Sequence, residues 1–387
     1  MEHLIHKYEA KMIRAGLVAP GDVVIGAQDD ELLWNRQAAA CGELARVFEL
    51  ISINSLIHAM PREPYRTIIE YLMAAHPEAI RPRDTETRTF LHELPVSNEF
   101  TAESIARNLS RRKCVLIAGK GLVTYGTVSP EQAFVVFSSV CFACYVKFFS
   151  DYLPAIRAKA APEPLQRAYV QACRFLDEPL PAQAPRLAHG PFEQEDAVLA
   201  AMDAAGKATV ELKLVDSYFG NVSYRQDGIL YISQTTSSMD ELPGYIDPCS
   251  LEGTTCTAIT ASSEYKAHRE ISNRLGCRTI LHGHPRFAVI MSLDCGEEQC
   301  VHSHECYKAC PKTRYINDIP IVCGEVGTGP FGLCNTVPPA LERAPGAIVY
   351  GHGVFTVGFS DFNETFAELL RIERTCREAF FSTISDV

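Results

Sequence analysis

The stretch Thr279-Ile280-Leu281-His282-Gly283-His284-Pro285-Arg286-Phe287 places two imidazoles one residue apart at the end of an apolar run. Side chains of a strand alternate between its faces, so residues i and i+2 point the same way. His282 and His284 would therefore share a face. Two readings compete. Both histidines could be satisfied inside a core, the commoner fate of an H-x-H pair, or they could be two legs of a metal site whose remainder lies elsewhere in the chain. A third histidine, His352, sits between glycines in Tyr350-Gly351-His352-Gly353-Val354. Glycine there would let the backbone turn tightly and bring a strand edge close. Three neutral imidazoles leave a fourth position open, which is the pattern of a catalytic zinc site and not of a structural one.

The rest of the chain sets bounds. Its 387 residues exceed one ordinary core and suggest two domains. With 36 Lys and Arg against 47 Asp and Glu, the net charge of −11 argues against nucleic acid as a partner. The opening residues show no apolar signal-like run, and the apolar stretch 133–146 is too short and too polar for a membrane span, so a buried helix is expected there. Fifteen cysteines without a secretion signal imply reduced thiols in a cytoplasmic protein.

Proline and alanine crowd the segment between about 153 and 192, which reads as a short helix followed by a linker. The expected division is a first domain over 1–160, a Pro/Ala-rich linker over 161–191 and a second domain over 192–387. The two halves echo each other. "AGKGLVTYG" (118–126) lines up with "YGHGVFTVG" (350–358), "LIHAMPR" (56–62) with "ILHGHPR" (280–286), and "PGDVVIGAQDDELLW" (20–34) more loosely with "FGNVSYRQDGILYIS" (219–233). The order is the same in both halves, which reads as an internal duplication. Met60 stands where the second half has His284, and Lys120 where it has His352. The first copy is therefore expected to keep the fold without the metal ligands.

Four motifs occur in order in the second half: "GNVSYR" (220–225), "SSEYKAHREI" (262–271), "LHGHP" (281–285) and "GHG" (351–353). Together they resemble the class II aldolase/adducin family, over roughly residues 192–385. The resemblance implies a three-layer α/β/α sandwich around a mostly antiparallel sheet, here as two tandem copies. It implies that His282, His284 and His352 bind zinc, or another divalent transition metal, and that Glu264 is the acid/base carboxylate beside it. Such an ion can hold the carbonyl and hydroxyl oxygens of a hydroxyketone and stabilise an enediolate when a carbon–carbon bond breaks. The family further implies that Asn221, Ser262 and Ser263, with Thr235 and Thr236, hold a substrate phosphate, and that a tyrosine, Tyr307 or Tyr315, assists proton transfer. The family carries glycine where this chain has Thr236.

The resulting expectation is a zinc-dependent lyase acting on a small, phosphorylated hydroxy-carbonyl compound. A metal-dependent decarboxylase or dehydratase and a non-catalytic, adducin-like interaction protein are the alternatives. Family enzymes are fourfold rings, so two tandem chains could rebuild one as a homodimer. An insert at 295–314 departs from the family. Cys295, Cys300, Cys306 and Cys310 follow a C-x4-C-x5-C-x3-C spacing that fits no standard zinc pattern, and they read as reduced thiols of a loop, although soft thiolates would suit zinc or iron.

Overall fold

The computed structural model describes residues 1–215, 218–252, 259–297 and 300–385, and it separates into two compact units, Met1–Asp177 and Glu178–Val387. In chain order, unit 1 comprises α1 (Glu2–Arg14), β1 (Val24–Gln28), β2 (Leu32–Trp34), α2 (Cys41–Leu50), β3 (Ser55–Ala59), α3 (Tyr65–Ala75), β4 (Ala79–Ile80), α4 (Thr85–Leu91), β5 (Leu94–Ser97), α5 (Ala102–Leu109), β6 (Cys114–Ile117), β7 (Gly121–Gly126), α6 (Pro130–Arg157) and α7 (Glu163–Cys173). Its strands form one sheet in the order β2-β1-β3-β7-β6-β5-β4. Every pairing is antiparallel except β5 with β6. On one face Leu44, Val47, Ile105 and Leu109 of α2 and α5 close over Leu56, Val115 and Val123. Helix α6 packs against β3 and β7, with α1 and α3 beside it. The expected buried helix at 133–146 is the centre of α6. That helix is long and apolar enough to cross a membrane by composition, yet 83% of its most apolar window is buried inside the protein. Cys141 and Cys144 lie fully buried on it, as core thiols do.

Unit 2 comprises α8 (Glu195–Glu211), β8 (Asn221–Gln226), β9 (Ile229–Ser233), β10 (Ile246–Ser250), α9 (Tyr265–Leu275), β11 (Thr279–Gly283), α10 (Arg286–Leu293), β12 (Arg314–Ile316), β13 (Ile319–Val322), α11 (Leu333–Thr336), α12 (Pro338–Leu341), β14 (Gly346–Val349), β15 (Gly353–Gly358) and α13 (Phe362–Ser385). The sheet order is β10-β9-β8-β11-β15-β14-β13-β12. On one face α9, α11 and α12 bury Ile271, Leu333, Val337 and Leu341 against Ile280, Val349 and Phe355. Helix α13 lies against β11, β14 and β15, with α8 and α10 packed on it. Both sheets are thus middle layers of three-layer α/β/α sandwiches. Strand β11 is buried at every position, as a central strand covered on both faces must be.

Leaving out β10, the two sheets share one strand order, and in both the sole parallel pair is the penultimate one, β5 with β6 and β13 with β14. The registers coincide. His58 faces Val123 and His282 faces Phe355, while Ala59 faces Leu122 and Gly283 faces Val354. Lys120 and His352 each precede that last partner by two residues, which bears out their alignment. The looser match at the first hairpin shifts: Asn221 pairs with His282 as Val24 pairs with His58, so Val24 and not Asp22 occupies the Asn221 position.

The domain boundary also moves. Residues 163–173 were expected in the linker, but they form α7, whose Leu165, Ala168 and Ala172 are buried and whose Tyr169 stacks on Tyr152 at 3.9 Å. Unit 1 therefore runs to Asp177 instead of ending at 160. The later part of the supposed linker is tied down in unit 2. Leu187 N–H donates to Asn363, Gly190 N–H to Asp361 and Phe192 N–H to the Tyr224 hydroxyl. Its prolines remove donors, but side chains of unit 2 receive the N–H groups of these three residues.

Candidate metal centre

Strand β15 runs against both β11 and β14, so β11 and β14 point the same way, and β13 runs parallel to β14. The C-terminal ends of β11, β13 and β14 therefore lie along one edge of the sheet. His284 follows the first of these ends and His352 the third, while His282 sits one residue inside β11. Residues 70 positions apart in sequence thus meet. The Nε2 of His282 lies 2.9 Å from that of His284 and 3.2 Å from that of His352. The close approach depends on Gly353, where a Cβ would run into the Gly283 carbonyl and come within 2.7 Å of the His284 ring. Gly351, at φ +59°, supplies the left-handed turn before it.

All three rings are buried, and one nitrogen of the first is already committed: His282 Nδ1 donates to the Val354 carbonyl at 3.0 Å. Its Nε2 consequently presents a lone pair to its two neighbours. Burial lowers the His282 pKa to about 4, with Glu264 partly opposing, and pushes His284 well below the ordinary imidazole value. His284 Nε2 and His352 Nε2 both face that lone pair, and each can donate its own proton to it or, with a cation between the rings, present a second lone pair. Protonation is the option that burial disfavours, so the donor set fits a divalent metal. The three ligand atoms all lie within 4.8 Å of one another.

Glu264 completes the group. It is the N-cap of α9, with Oε1 3.0 Å from His352 Nε2 and Oε2 3.3 Å from His282 Nε2. Burial works to raise its pKa. The adjoining imidazoles of His282 and His352, with the Asn221 amide, outweigh burial and hold the carboxyl well below its usual range. Asn221 Nδ2 donates to Glu264 Oε2 at 2.7 Å, so Asn221 positions this carboxylate. Four residues beyond Glu264 the buried His268 binds the Ser223 hydroxyl through Nδ1 at 2.7 Å and leaves Nε2 without a hydrogen bond.

The expected phosphate residues lie on two adjoining loops. Thr235 N–H donates to Thr260 O and Ser262 N–H to Ser233 O, which brings Thr235 and Thr236 alongside Ser262 and Ser263. Ser262 is buried beneath, its hydroxyl accepting the Glu264 N–H, while Ser263, Thr235 and Thr236 are exposed. Thr236 adopts φ +61°, the conformation that the family's glycine would take without strain. Thr236→Gly is therefore expected to raise stability by up to about 1 kcal/mol, the cost of a left-handed residue less glycine's extra chain entropy. The denaturation midpoint measures it, and a clear fall would show that the threonine hydroxyl, bonded to Thr235 O, outweighs the strain. Tyr307 is half-buried, with its carbonyl accepting from Gly324 N–H and Lys308 over its ring, and Tyr315 is half-exposed on β12.

Three features escaped sequence reading. Gly327, Thr328 and Lys266 join Ser263 and Glu264 around a small cavity of about 30 Å³ beside the carboxylate. Ser292 of α10 accepts from Gly351 N–H at 2.8 Å and so holds the turn that carries His352. Glu373 of α13 accepts from the N–H groups of Phe287 and Ala288, both at 2.9 Å, and so caps the helix that begins just after His284.

Burial raises the Glu373 pKa from 4.5 to about 7 against these bonds. A carboxyl raised on folding adds stability below its unfolded pKa and loses it as pH climbs through the folded value. Wild-type stability should thus fall, relative to Glu373→Gln, by on the order of 2–3 kcal/mol between about pH 4.5 and 8. Urea denaturation across that range tests this, and parallel pH profiles for the two proteins would refute it.

Comparison with known proteins places unit 2. Residues 200–380, most of the second unit, match the class II aldolase and adducin N-terminal domain family. Similar solved structures include an L-fuculose-1-phosphate aldolase from Thermus thermophilus, 22% identical, covering 49% of this chain and 96% of that one, with a TM-score of 0.41. A sugar-phosphate aldolase from Thermotoga maritima is 18% identical, covering 47% of this chain and 93% of that one, with a TM-score of 0.35. No curated protein sequence matches the chain significantly.

Proposed function

We propose that unit 2 is a metal-dependent lyase that cleaves or forms a carbon–carbon bond in a small phosphorylated hydroxy-carbonyl compound. The observation that carries the reading is the convergence of His282, His284 and His352 on one point beside the buried carboxylate of Glu264. The three Nε2 atoms would hold the metal, zinc in the first instance. Bound there, it supplies Lewis acidity for a carbonyl and its neighbouring hydroxyl.

The protein's own groups do the rest. Glu264, held ionised, accepts a proton from the substrate hydroxyl and returns it to carbon. Asn221 fixes its orientation. Thr235, Thr236 and Ser263 offer exposed hydroxyls to a phosphate above the buried Ser262, and Lys266 adds a cation at the cavity that Ser263 lines. Tyr307 is the candidate for protonating the departing fragment. In unit 1, Ala40 takes the helix-capping place of Glu264, and Met60 and Lys120 replace two ligands, so that unit has no such centre.

The family's oligomers favour a homodimer, and a monomer by light scattering would rule out the paired ring. None of the fourteen described cysteines forms a disulfide with another described residue, in keeping with a reducing cytoplasm. The deciding experiment is metal analysis of the purified protein, followed by a screen of phosphorylated hydroxyketones for retro-aldol cleavage. Cleavage confirms the lyase. Release of carbon dioxide or water from a related acid would make it a decarboxylase or dehydratase. Failure to hold or take up zinc would favour an adducin-like binding protein.

A further inference from the structure

We propose that a cavity in unit 1, between the β4–β5 pair and the C-terminal end of α5, binds a small zwitterion of the α-amino-acid kind. The site lies apart from the three converging histidines and needs none of them.

The cavity measures about 220 Å³. Drug-sized sites run to roughly 300–1,000 Å³, so its ligand is small. Ala79 and Pro95, partners across the β4–β5 pair, supply the apolar part of its wall. The rest of the lining is polar. Glu78 and Glu93 come from the strand ends, and Asn108, Arg111 and Arg112 from the end of α5. The Asn108 carbonyl accepts from the N–H groups of Arg111 and Arg112 at 3.0 and 2.9 Å. That turn closes the helix and brings both arginines to the cavity wall.

Charge selects the ligand. Arg112 is committed within the protein: one Nη donates to Glu93 at 2.7 Å and the other to the Arg111 carbonyl at 2.8 Å. The first of these bonds accounts for Glu93 as well. Arg111 and Glu78 remain. Both are exposed, and neither side chain has a partner among the described residues. They line one cavity, yet no ion pair joins them. The wall thus presents one cation and one anion held too far apart to neutralise each other. A ligand with a single charge gains at one of them and loses at the other. A ligand whose carboxylate meets Arg111 and whose ammonium meets Glu78 gains at both, and the fork of the guanidinium matches a carboxylate. In an α-amino acid one carbon separates the two groups, which suits a cavity of this size.

Two further atoms fit that ligand. The Nε–H of Arg112 is buried without an acceptor among the described residues, a costly state that a carboxylate oxygen relieves. Asn108 Nδ2 donates to the Ser104 carbonyl at 2.8 Å, which leaves its amide oxygen to accept from an ammonium. Unit 1 carries Met60 and Lys120 in place of two of the converging histidines, and binding here gives it a task that calls on neither.

The full-length protein is titrated calorimetrically at pH 7 with the common α-amino acids, each supplied singly up to roughly 10 mM, about ten times a dissociation constant of 1 mM. At least one should bind and saturate. Its N-acetyl derivative keeps only the negative charge and its carboxamide only the positive, so each should bind about tenfold more weakly or worse. Arg111→Gln and Glu78→Gln should each weaken the parent ligand by about tenfold or more. Both side chains are exposed and unpaired, so the unfolding temperature without ligand and the zinc response of unit 2 should not change. An amino acid held on a metal ion would bind both variants as it binds wild type, and that result overturns the proposal. So does a series in which nothing saturates, or a one-charge derivative that binds as tightly as its parent.

Discussion

His282→Ala/His284→Ala is expected to abolish metal binding at the sheet edge and to lower turnover by roughly a thousandfold or more, since a Lewis acid supplies several kcal/mol and each ~1.4 kcal/mol is tenfold. The effect should be separable from damage to the fold. In the metal-free protein, truncating two of the three converging imidazoles leaves space in a buried site, a loss that is the same with or without zinc in solution. Thermal unfolding with and without added zinc reads the difference. Wild type should gain about 2.7 kcal/mol once free zinc reaches about a hundredfold excess over its dissociation constant, while the variant should gain nothing from this site. An identical zinc response in the two proteins would sink the assignment of these histidines as ligands.

Glu264→Gln should leave the metal in place and reduce kcat by about a hundred- to ten-thousandfold, the span usual for loss of a positioned acid/base group. Glutamine is nearly isosteric, and its carbonyl oxygen can still accept from Asn221 Nδ2. What disappears is the capacity to carry a proton. The acidic limb of the kcat/KM profile assigned to this carboxylate should vanish with it. Metal lost together with activity would make Glu264 a ligand first. Unchanged turnover would move the proton chemistry elsewhere, with His268 the next group to test.

The convergence of the three histidines was legible because each rests on local rules. Period-two alternation puts His282 and His284 on one face, and glycines on both sides of His352 announce a tight approach. The shared strand plan was legible through the same glycines, and the registers at His58 and His282 match. The less legible parts depend on contacts between distant segments. Glu373 caps α10 across 86 residues, a distance over which no sequence spacing speaks. Helix α7 is the short helix read ahead of the linker, and what the sequence missed is that it packs into unit 1; Pro164, at its N2 position, is compatible with a helix start. Asn221 was read as a phosphate ligand by resemblance, and its bond to Glu264 needed coordinates to be seen.

The matched topology of the two units has an experimental use. One chain carries the shared strand plan with and without the three converging histidines, expressed together and exposed to the same buffer. Unit 1 is therefore a built-in blank. Hydrogen exchange followed peptide by peptide, before and after a chelator, would contrast β11 and β15 directly with β3 and β7. Whatever changes in unit 2 and stays still in unit 1 is the signature of the ion and not of the solvent.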